Sequence, residues 1–104
     1  MEQKINQLDK NGNAIGLWKS YWSNGKLESI GKYKNGEEIG SWQEYDDNGK
    51  LLSVGKYEDG KKEGLWTEFY NNRNLLEIGE YKNGERTGLW KDYQDGKLIK
   101  IKRY

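Results

Sequence analysis

Short clusters of aromatic and branched side chains alternate along the chain with polar turn sequences. Residues 17–22 and residues 27–33 form two such clusters, and the sequence Ser23-Asn24-Gly25-Lys26 stands between them. An Asn-Gly pair between two clusters of this length is a strong signal for a β-hairpin. The chain has no Pro and no apolar stripe with a period of about 3.6 residues, so the pattern predicts strands and no helix.

The clusters recur with a period of 24 residues. The first half of each unit carries a glycine, a tryptophan and a further aromatic residue, and the second half carries a leucine, a branched residue, a glycine, a tyrosine and a last glycine. These rows are Gly16, Gly40, Gly64 and Gly88; Trp18, Trp42, Trp66 and Trp90; Tyr21, Tyr45, Phe69 and Tyr93; Leu27, Leu51 and Leu75; Ile30, Val54 and Ile78; Gly31, Gly55 and Gly79; Tyr33, Tyr57 and Tyr81; and Gly36, Gly60 and Gly84. A fixed period of this length indicates a repeat architecture, in which each unit buries its face against its neighbours.

A second turn sequence, Asn35-Gly36, follows the hairpin of residues 17–33 and recurs as Asp59-Gly60 and Asn83-Gly84. Consecutive hairpins are therefore expected to join into one antiparallel meander. We predict an all-β fold in which repeated β-hairpins form one elongated, twisted sheet. The single domain spans residues 1–104, with a partial unit at 1–15 and units at 16–39, 40–63, 64–87 and 88–104.

The even length of the repeat returns equivalent residues to the same face of the sheet. The four tryptophans should therefore form a row, and glycines on neighbouring strands leave space for their rings to lie flat on the backbone. The predicted scaffold residues are Trp18, Trp42, Trp66, Trp90, Tyr33, Tyr57, Tyr81, Gly31, Gly55 and Gly79. Trp18 and Tyr21 differ in strand parity, so either both faces carry apolar residues or a bulge intervenes.

The irregular units lie near the ends of the array. Residues 9–12 match the second turn sequence, with Ile5 and Leu8 placed to cover the first edge. Residues 71–74 form a hairpin turn without glycine, which asparagine can serve because it tolerates positive φ. The turn at residues 94–97 is one residue short. Allowing for that deletion, Leu98, Ile101 and Tyr104 continue the repeat rows, and an ordered final strand is predicted.

Composition and charge refine this picture. Hydrophobic residues make up 33% of the chain against 34% charged, and the mean hydropathy is −1.21, values that alone are typical of disorder. Five Trp, eight Tyr and one Phe argue instead for a core of aromatic rows. Eighteen basic and seventeen acidic residues nearly cancel, which gives no general attraction to nucleic acid or anionic lipid. The chain has no Cys, no apolar run of membrane-spanning length and no apolar stretch at its start, so we expect a cytoplasmic protein without a transmembrane segment.

Two motifs carry a resemblance to a known family. The sequences Gly-Leu-Trp-Lys-Ser-Tyr at 16–21 and Ile-Gly-Lys-Tyr-Lys-Asn-Gly at 30–36 resemble the bacterial variant of the MORN repeat, and the resemblance extends over residues 9–104. Proteins built only of these repeats are often assigned to a bacterial antitoxin family, the YwqK type. The resemblance implies a small protein that neutralises a partner by binding it.

The sequence predicts no catalytic centre, metal site or cofactor. The absence of His and Cys leaves only carboxylates, Tyr and Lys for catalysis, so we expect a protein that is not an enzyme. Asp46 and Asp47 beside Asn48 form the one sequence that fits a hard-cation site, but the spacing lacks the further acidic positions of a calcium loop. A solvated turn is the expectation here.

Positions that vary between units are candidates for partner contact. Trp22 and Tyr70 are large aromatics at a position that holds Asp46 and Gln94 in the other units, and rigid aromatics are typical interface anchors. The alternative is that Trp22 covers the first edge and Tyr70 packs beside Phe69.

Charge also varies along the array. Residues 41–70 hold seven acidic and four basic residues, whereas residues 82–104 hold seven basic and three acidic ones. The acidic side chains of the first region are Glu44, Asp46, Asp47, Glu58, Asp59, Glu63 and Glu68, and the basic ones at the end of the second are Lys97, Lys100, Lys102 and Arg103. An acidic surface favours binding to a basic effector, although scattered charges also serve simple solvation. The candidate partner-binding residues are Trp22, Tyr70, Glu44, Asp46, Asp47 and Glu68.

Three functions follow from these observations. The first is a stoichiometric protein inhibitor, either an antitoxin or immunity protein or a phage-encoded inhibitor of a defence nuclease. The second is a scaffold that self-associates through its open sheet edges or tethers other proteins. The third is nucleic-acid binding through aromatic stacking and the basic end, which ranks last because the aromatics recur as scaffold.

Overall fold

The computed structural model describes residues 4–70 and 74–104, which form one open antiparallel sheet. Its nine strands lie in chain order, so the predicted meander of hairpins is confirmed. The strands are β1 (Gln7–Leu8), β2 (Ala14–Tyr21), β3 (Leu27–Lys34), β4 (Glu37–Tyr45), β5 (Leu51–Glu58), β6 (Lys61–Phe69), β7 (Leu75–Lys82), β8 (Glu85–Gln94) and β9 (Lys97–Arg103). Within the described residues, no helix is long and apolar enough to cross a membrane.

The turns that join one hairpin to the next are two-residue loops. Asn35 and Gly36 both have positive φ, 52° and 80°, and the pairs at 59–60 and 83–84 repeat this geometry. Positive φ at both central residues defines the type I′ turn, whose twist matches that of the flanking strands. The amide of Gly36 also donates a hydrogen bond of 2.9 Å to the carbonyl of Ala14 in the preceding unit. Each of these turns therefore ties two hairpins together.

The first turn of the sheet differs from its prediction. Asp9 Oδ1 accepts hydrogen bonds from the amides of Asn11 and Asn13, at 2.8 and 2.9 Å, and Asp46 Oδ1 closes the turn at residues 46–50 in the same way. Gly12 has a φ of 82°, but the residue before it does not have a positive φ, unlike Asn35 before Gly36 in the second turn type. The match of residues 9–12 to the second turn is therefore wrong. An Asn-Gly pair occurs in both turn types, so the dipeptide alone does not distinguish them. The predicted turn at 71–74 falls mainly on residues 71–73, which lie outside the described residues.

The tryptophans and tyrosines form a continuous ladder on one side of the sheet, which we call the Trp face. Neighbouring rings meet edge to face, with centroids 5.0–6.3 Å apart and interplanar angles of 77–85°. The ladder runs through Trp18, Tyr33, Trp42, Tyr57, Trp66, Tyr81, Trp90 and Tyr104. Such contacts contribute roughly 0.5–1.5 kcal/mol each beyond the area they bury. This confirms the predicted tryptophan row, which here alternates with tyrosine.

Three tryptophans form the buried core of this single-layer sheet. Trp42, Trp66 and Trp90 are 7%, 4% and 2% exposed. Each ring lies against a glycine of the preceding strand, Gly31, Gly55 or Gly79 in turn, and a Cβ at any of these glycines would overlap the ring. Each indole also donates a hydrogen bond to a carbonyl beside that glycine; for Trp66 the acceptor is Lys56, at 3.0 Å. The predicted role of these glycines is therefore confirmed.

Both explanations of the parity difference between Trp18 and Tyr21 hold. The pairing register shifts between Ser20 and Tyr21, and it shifts again at the equivalent sites in β4, β6 and β8. Strand alternation also places Leu17 and Ile30 on the side opposite the tryptophans. We call this second side the aliphatic face. Its repeat rows are Leu17, Leu65 and Leu89, and Ile30, Val54, Ile78 and Ile101.

The last strand completes the repeat rows as predicted. In β9, Leu98 pairs with Tyr93 and Ile101 pairs with Lys91. The amide of Tyr104 donates to the carbonyl of Gly88 at 2.9 Å, and the Tyr104 ring contacts Trp90. At the other end, β1 pairs with β2 and the Trp18 indole donates to the carbonyl of Gln7. Leu8 itself is 58% exposed, so backbone pairing rather than its side chain covers this edge.

The aromatic ladder gives the protein a predicted alkaline instability. Burial raises the pKa of Tyr57 to about 12, and the nearby carboxylates of Glu38 and Glu44 add to the effect. Tyrosine in an unfolded chain ionises near pH ~10, so the native state retains a proton that the unfolded state loses. The free energy of unfolding should therefore fall as the pH rises from about 10 to about 12. Urea unfolding across this range should show a shallower fall for Tyr57→Phe, and an unchanged slope would contradict this assignment.

Candidate partner-binding surfaces

Trp22 and Tyr70 lie at equivalent positions on the edge of the sheet formed by the hairpin turns. Both are half-buried. The Trp22 indole donates a hydrogen bond to the carbonyl of Tyr45 at 3.1 Å, and the Tyr70 hydroxyl donates to the carbonyl of Tyr93 at 3.3 Å. Each side chain therefore links its own unit to the next one. Their remaining exposed surface is at the turn edge, where the chain offers it to a partner.

The acidic candidates do not form one surface. Glu44 and Glu68 lie on the Trp face, where both are cross-strand partners of Ser53. Asp46 uses its Oδ1 to close the hairpin turn, and Asp47 is exposed beside it. Three further carboxylates, Glu58, Asp59 and Glu63, line a shallow depression at the opposite edge of the sheet. In the part of the chain that the structure describes, no group of acidic residues is arranged to hold a metal ion.

Among the carboxylates of the Trp face, Glu68 and Glu38 have raised pKa values and Glu77 is paired with an arginine. Burial raises the pKa of Glu68, and the neighbouring Glu77 raises it further. Glu77 makes a two-point ion pair with Arg86, with N–O distances of 2.8 and 3.0 Å. This ion pair raises the pKa of Arg86, so the guanidinium stays charged. Burial also raises the pKa of Glu38, with Glu44 adding to it.

Cationic side chains cover two of the tryptophan rings, Trp66 and Trp90. The Arg86 guanidinium lies 4.1 Å from the centre of the Trp90 ring and the Lys62 ammonium lies 4.6 Å from that of Trp66. Each cation also contacts the next tyrosine of the ladder, Tyr104 and Tyr81 respectively. Because these tryptophans lie between glycine backbone and such side chains, their ring faces are closed to a stacking nucleobase.

The aliphatic face exposes apolar surface that the sequence analysis did not name as a binding surface. Leu65, Leu89 and Ile101 are 57%, 48% and 52% exposed. Leu65, Ile78 and Leu89 border a shallow depression between β6, β7 and β8. Recurring residues were assigned to the scaffold in the sequence analysis. The leucines and branched residues of the aliphatic face also recur, although no second layer covers them. Differences in strand parity within a unit, such as that between Trp18 and Tyr21, were the signal in the sequence for a sheet with apolar residues on both faces.

Positive charge surrounds these aliphatic side chains. The cross-strand partners of Leu17, Ser41, Leu65 and Leu89 are Lys32, Lys56, Glu80 and Arg103. In the next row, Lys19 pairs with Ile30 and Lys91 pairs with Ile101. Glu63, the other cross-strand partner of Lys56, lies on this face too, so five basic residues of these rows stand beside two acidic ones. The carboxylates Glu38, Glu44, Glu68, Glu77 and Asp92 lie on the Trp face, together with the cations Lys62, Arg86, Lys100 and Lys102. The Trp face is therefore close to neutral.

The basic residues predicted at the end of the chain all lie in β9. Lys97, Lys100, Lys102 and Arg103 alternate there with Leu98, Ile99 and Ile101. Lys102 approaches Asp92 on β8 at 3.5 Å. Lys100 is also the cross-strand partner of Asp92 and points to the Trp face, while Arg103 points to the aliphatic face. This strand therefore presents positive charge on both faces.

Comparison with known proteins identifies the repeat. None of the curated proteins matches the chain. The MORN repeat variant matches it three times, at residues 15–35, 38–59 and 62–83. Each match holds one tryptophan and one tyrosine of the ladder together with the residues between them, and β8 and β9 continue the same hairpin geometry beyond the third match. More than half of the residues fall within these matches, so the chain belongs to the family of MORN repeat variants.

Proposed function

We propose that this protein is a stoichiometric inhibitor that acts by binding an effector protein, as an antitoxin or immunity protein does, and that it is not an enzyme. MORN repeats generally serve as modules that bind proteins or membranes. The resemblance of residues 9–104 to repeat proteins assigned as antitoxins supports the inhibitor role. The effector is a toxin or a nuclease in the cytoplasm, where the absence of Cys fits a reducing environment.

The observation that carries the proposal is the exposed aliphatic face. Leu65, Leu89 and Ile101 place about half of their surface in solvent on a sheet whose other side is already packed. Exposed apolar side chains that adjoin one another mark protein-binding surfaces, because their burial contributes about 25 cal/mol per Å². The partner should therefore offer an apolar patch.

The charges around the aliphatic face indicate which charge the partner carries around its apolar patch. Arg103 is the cross-strand partner of Leu89 and Lys91 is that of Ile101, so acidic side chains on the partner are favoured at this end of the face. Glu80 is the cross-strand partner of Leu65. The acidic candidates Glu44 and Glu68 lie on the Trp face and do not take part in this contact. A partner docked on the aliphatic face leaves the Trp ladder unchanged.

A comparison of two double variants tests this function. Leu65→Ser with Leu89→Ser alters the aliphatic face, and Trp22→Ala with Tyr70→Ala alters the turn edge. Affinity capture from the lysate of the source organism, followed by mass spectrometry, should yield one effector with the wild type. We expect the leucine variant to lose that effector while keeping its melting temperature within a few degrees, because both leucines are half-exposed. The turn-edge variant should retain it.

The captured effector is then assayed directly. Adding the purified chain should abolish its toxic or nuclease activity at about one chain per effector. An effector whose activity is unchanged when saturated would contradict the inhibitor role. Loss of capture only with the turn-edge variant would instead place the contact at Trp22 and Tyr70.

A further inference from the structure

The two outer strands of the sheet differ in how much free backbone they present. At the β1 end, Asn6 has a φ of 57° and its amide donates to the carbonyl of Leu17 at 2.9 Å. Its side chain then occupies the edge of β2: Nδ2 donates to the carbonyl of Lys19 at 3.0 Å, and Oδ1 accepts from the amide of Lys19 at 2.8 Å. A side-chain amide thus takes the place of a further paired residue. An added strand therefore cannot pair with this stretch of β2.

The outer edge of β9 is open in the described sheet. Among residues 4–70 and 74–104, β9 pairs with β8 and with no other strand. The amide of Tyr104 is bonded to Gly88, so alternation directs the backbone groups of Lys100 and Lys102 toward β8 as well. The N–H and C=O groups of Ile101 and Arg103 therefore point outward, whereas Ile99 is the extra residue of the register shift opposite Asp92 and Tyr93 and lies outside this alternation. Such a row of groups is a template for an added strand.

The charges on β9 oppose pairing with a second copy of the chain. In an antiparallel pair centred on Lys100, each Lys100 faces its copy and each Lys97 faces Arg103. In the pair centred on Ile101, Lys100 faces Lys102 twice. Like charges directly opposite each other destabilise a strand pair. In these two registers the lysines of β9 therefore disfavour the self-pairing that an open edge otherwise invites.

We propose that the outer edge of β9 is a binding site for an extended acidic segment of a partner protein, which adds to the sheet as a further strand. Lys100 and Lys102 point to the Trp face, where acidic side chains of the added strand oppose them. Ile101 points to the aliphatic face and opposes a branched apolar side chain. The preferred segment thus alternates acidic and branched apolar residues. This site is separate from the exposed leucines of the aliphatic face.

Two synthetic peptides test the site: acetyl-(Glu-Val)4-amide and its counterpart acetyl-(Lys-Val)4-amide. Titration into the 15N-labelled chain should shift the amide signals of Ile101 and Arg103 and slow their hydrogen exchange, with little change in β1. Two to three opposite-charge pairs should give the acidic peptide at least about tenfold tighter binding. Equal binding of the two peptides, or shifts confined to other strands, would overturn the proposal.

Proline at residue 101 separates backbone pairing from simple charge attraction. The Ile101 amide points outward, so Ile101→Pro removes a donor to the added strand while the bonds to β8 remain. We expect at least about tenfold weaker binding of the acidic peptide, with Ile101→Val as the matched control. Unchanged binding by a folded proline variant would contradict strand addition.

A charge exchange gives a second test that does not depend on proline. Lys100→Glu with Lys102→Glu should reverse the preference and bind the lysine peptide more tightly than the acidic one. The Leu65→Ser, Leu89→Ser variant should bind the acidic peptide like the wild type, whether or not the inhibitor function holds. Dimerisation of the wild type through β9, seen by sedimentation and abolished by Ile101→Pro, would show that a second copy occupies the edge and would overturn the proposal.

Discussion

Replacing Trp66 with alanine is expected to lower the free energy of unfolding by about 3–5 kcal/mol. The Trp66 ring is 4% exposed and lies between Tyr57 and Tyr81, with centroids 5.1 and 6.2 Å away. A single-layer sheet has no second layer that can collapse into the space the ring leaves. The loss therefore includes the transfer free energy, the cavity and two edge-to-face contacts. Urea denaturation monitored by far-ultraviolet circular dichroism measures it.

The matched comparison is Trp22→Ala, which removes the same side chain at the turn edge. Trp22 is half-buried and its main specific contact is one hydrogen bond to the carbonyl of Tyr45. A hydrogen bond of this kind contributes about 1 kcal/mol net, so the variant should lose far less stability than Trp66→Ala. Equal losses in the two variants would contradict the division between a scaffold row and an edge position.

The repeat makes the effect of Trp66→Ala spread along the array. Trp66 is in β6, and its two ring neighbours are in β5 and β7, so the substitution interrupts contact between the second and third units. In repeat proteins, stability is approximately the sum of unit and neighbour-interface terms. Loss of one interface should therefore broaden the unfolding transition as well as shift it.

The sequence predicted the fold because the fold follows from local and periodic signals. The turn at Asn35-Gly36 specifies a two-residue hairpin, and the even period of the repeat fixes the face of Trp18 and its equivalents. The role of Gly55 followed from the same register, because glycines in strands otherwise weaken pairing. Each of these features depends on residues that are close in sequence or spaced by one period.

The surfaces were harder to predict because they depend on contacts that the period does not encode. Trp22 and Tyr45 lie in adjacent units, and the hydrogen bond between them requires the stacking of turns rather than strand register. Glu44 and Asp46 are neighbours in sequence, but a register shift after Glu44 sends one to the Trp face and uses the other in a turn. Exposure of Leu65 depends on whether a second layer exists, which no local pattern reports.

Replacing Gly55 with alanine is expected to destabilise the protein by about 3 kcal/mol, although it adds only one methyl group. The Trp66 ring lies directly over Gly55, at the position where a Cβ would stand. The ring cannot move aside easily, because its indole is bonded to the carbonyl of Lys56 at 3.0 Å and the two tyrosines flank it. In an ordinary strand the same change would be favourable, since alanine loses less backbone entropy than glycine. The expected loss of stability in Gly55→Ala is therefore due to the Trp66 ring alone.

A double-mutant cycle isolates that cause. In a Trp66→Leu background the smaller, flexible side chain can turn away from the new methyl group, so Gly55→Ala should cost less than about 1 kcal/mol. Lys56→Ala, at the next and exposed residue of β5, controls for alanine in the same strand and should change stability by less than about 0.5 kcal/mol. Equal costs of Gly55→Ala in the tryptophan and leucine backgrounds would mean that backbone conformation, and not the overlying ring, requires glycine there. Because Gly31 and Gly79 hold Trp42 and Trp90 in the same way, the same coupling should recur at both sites.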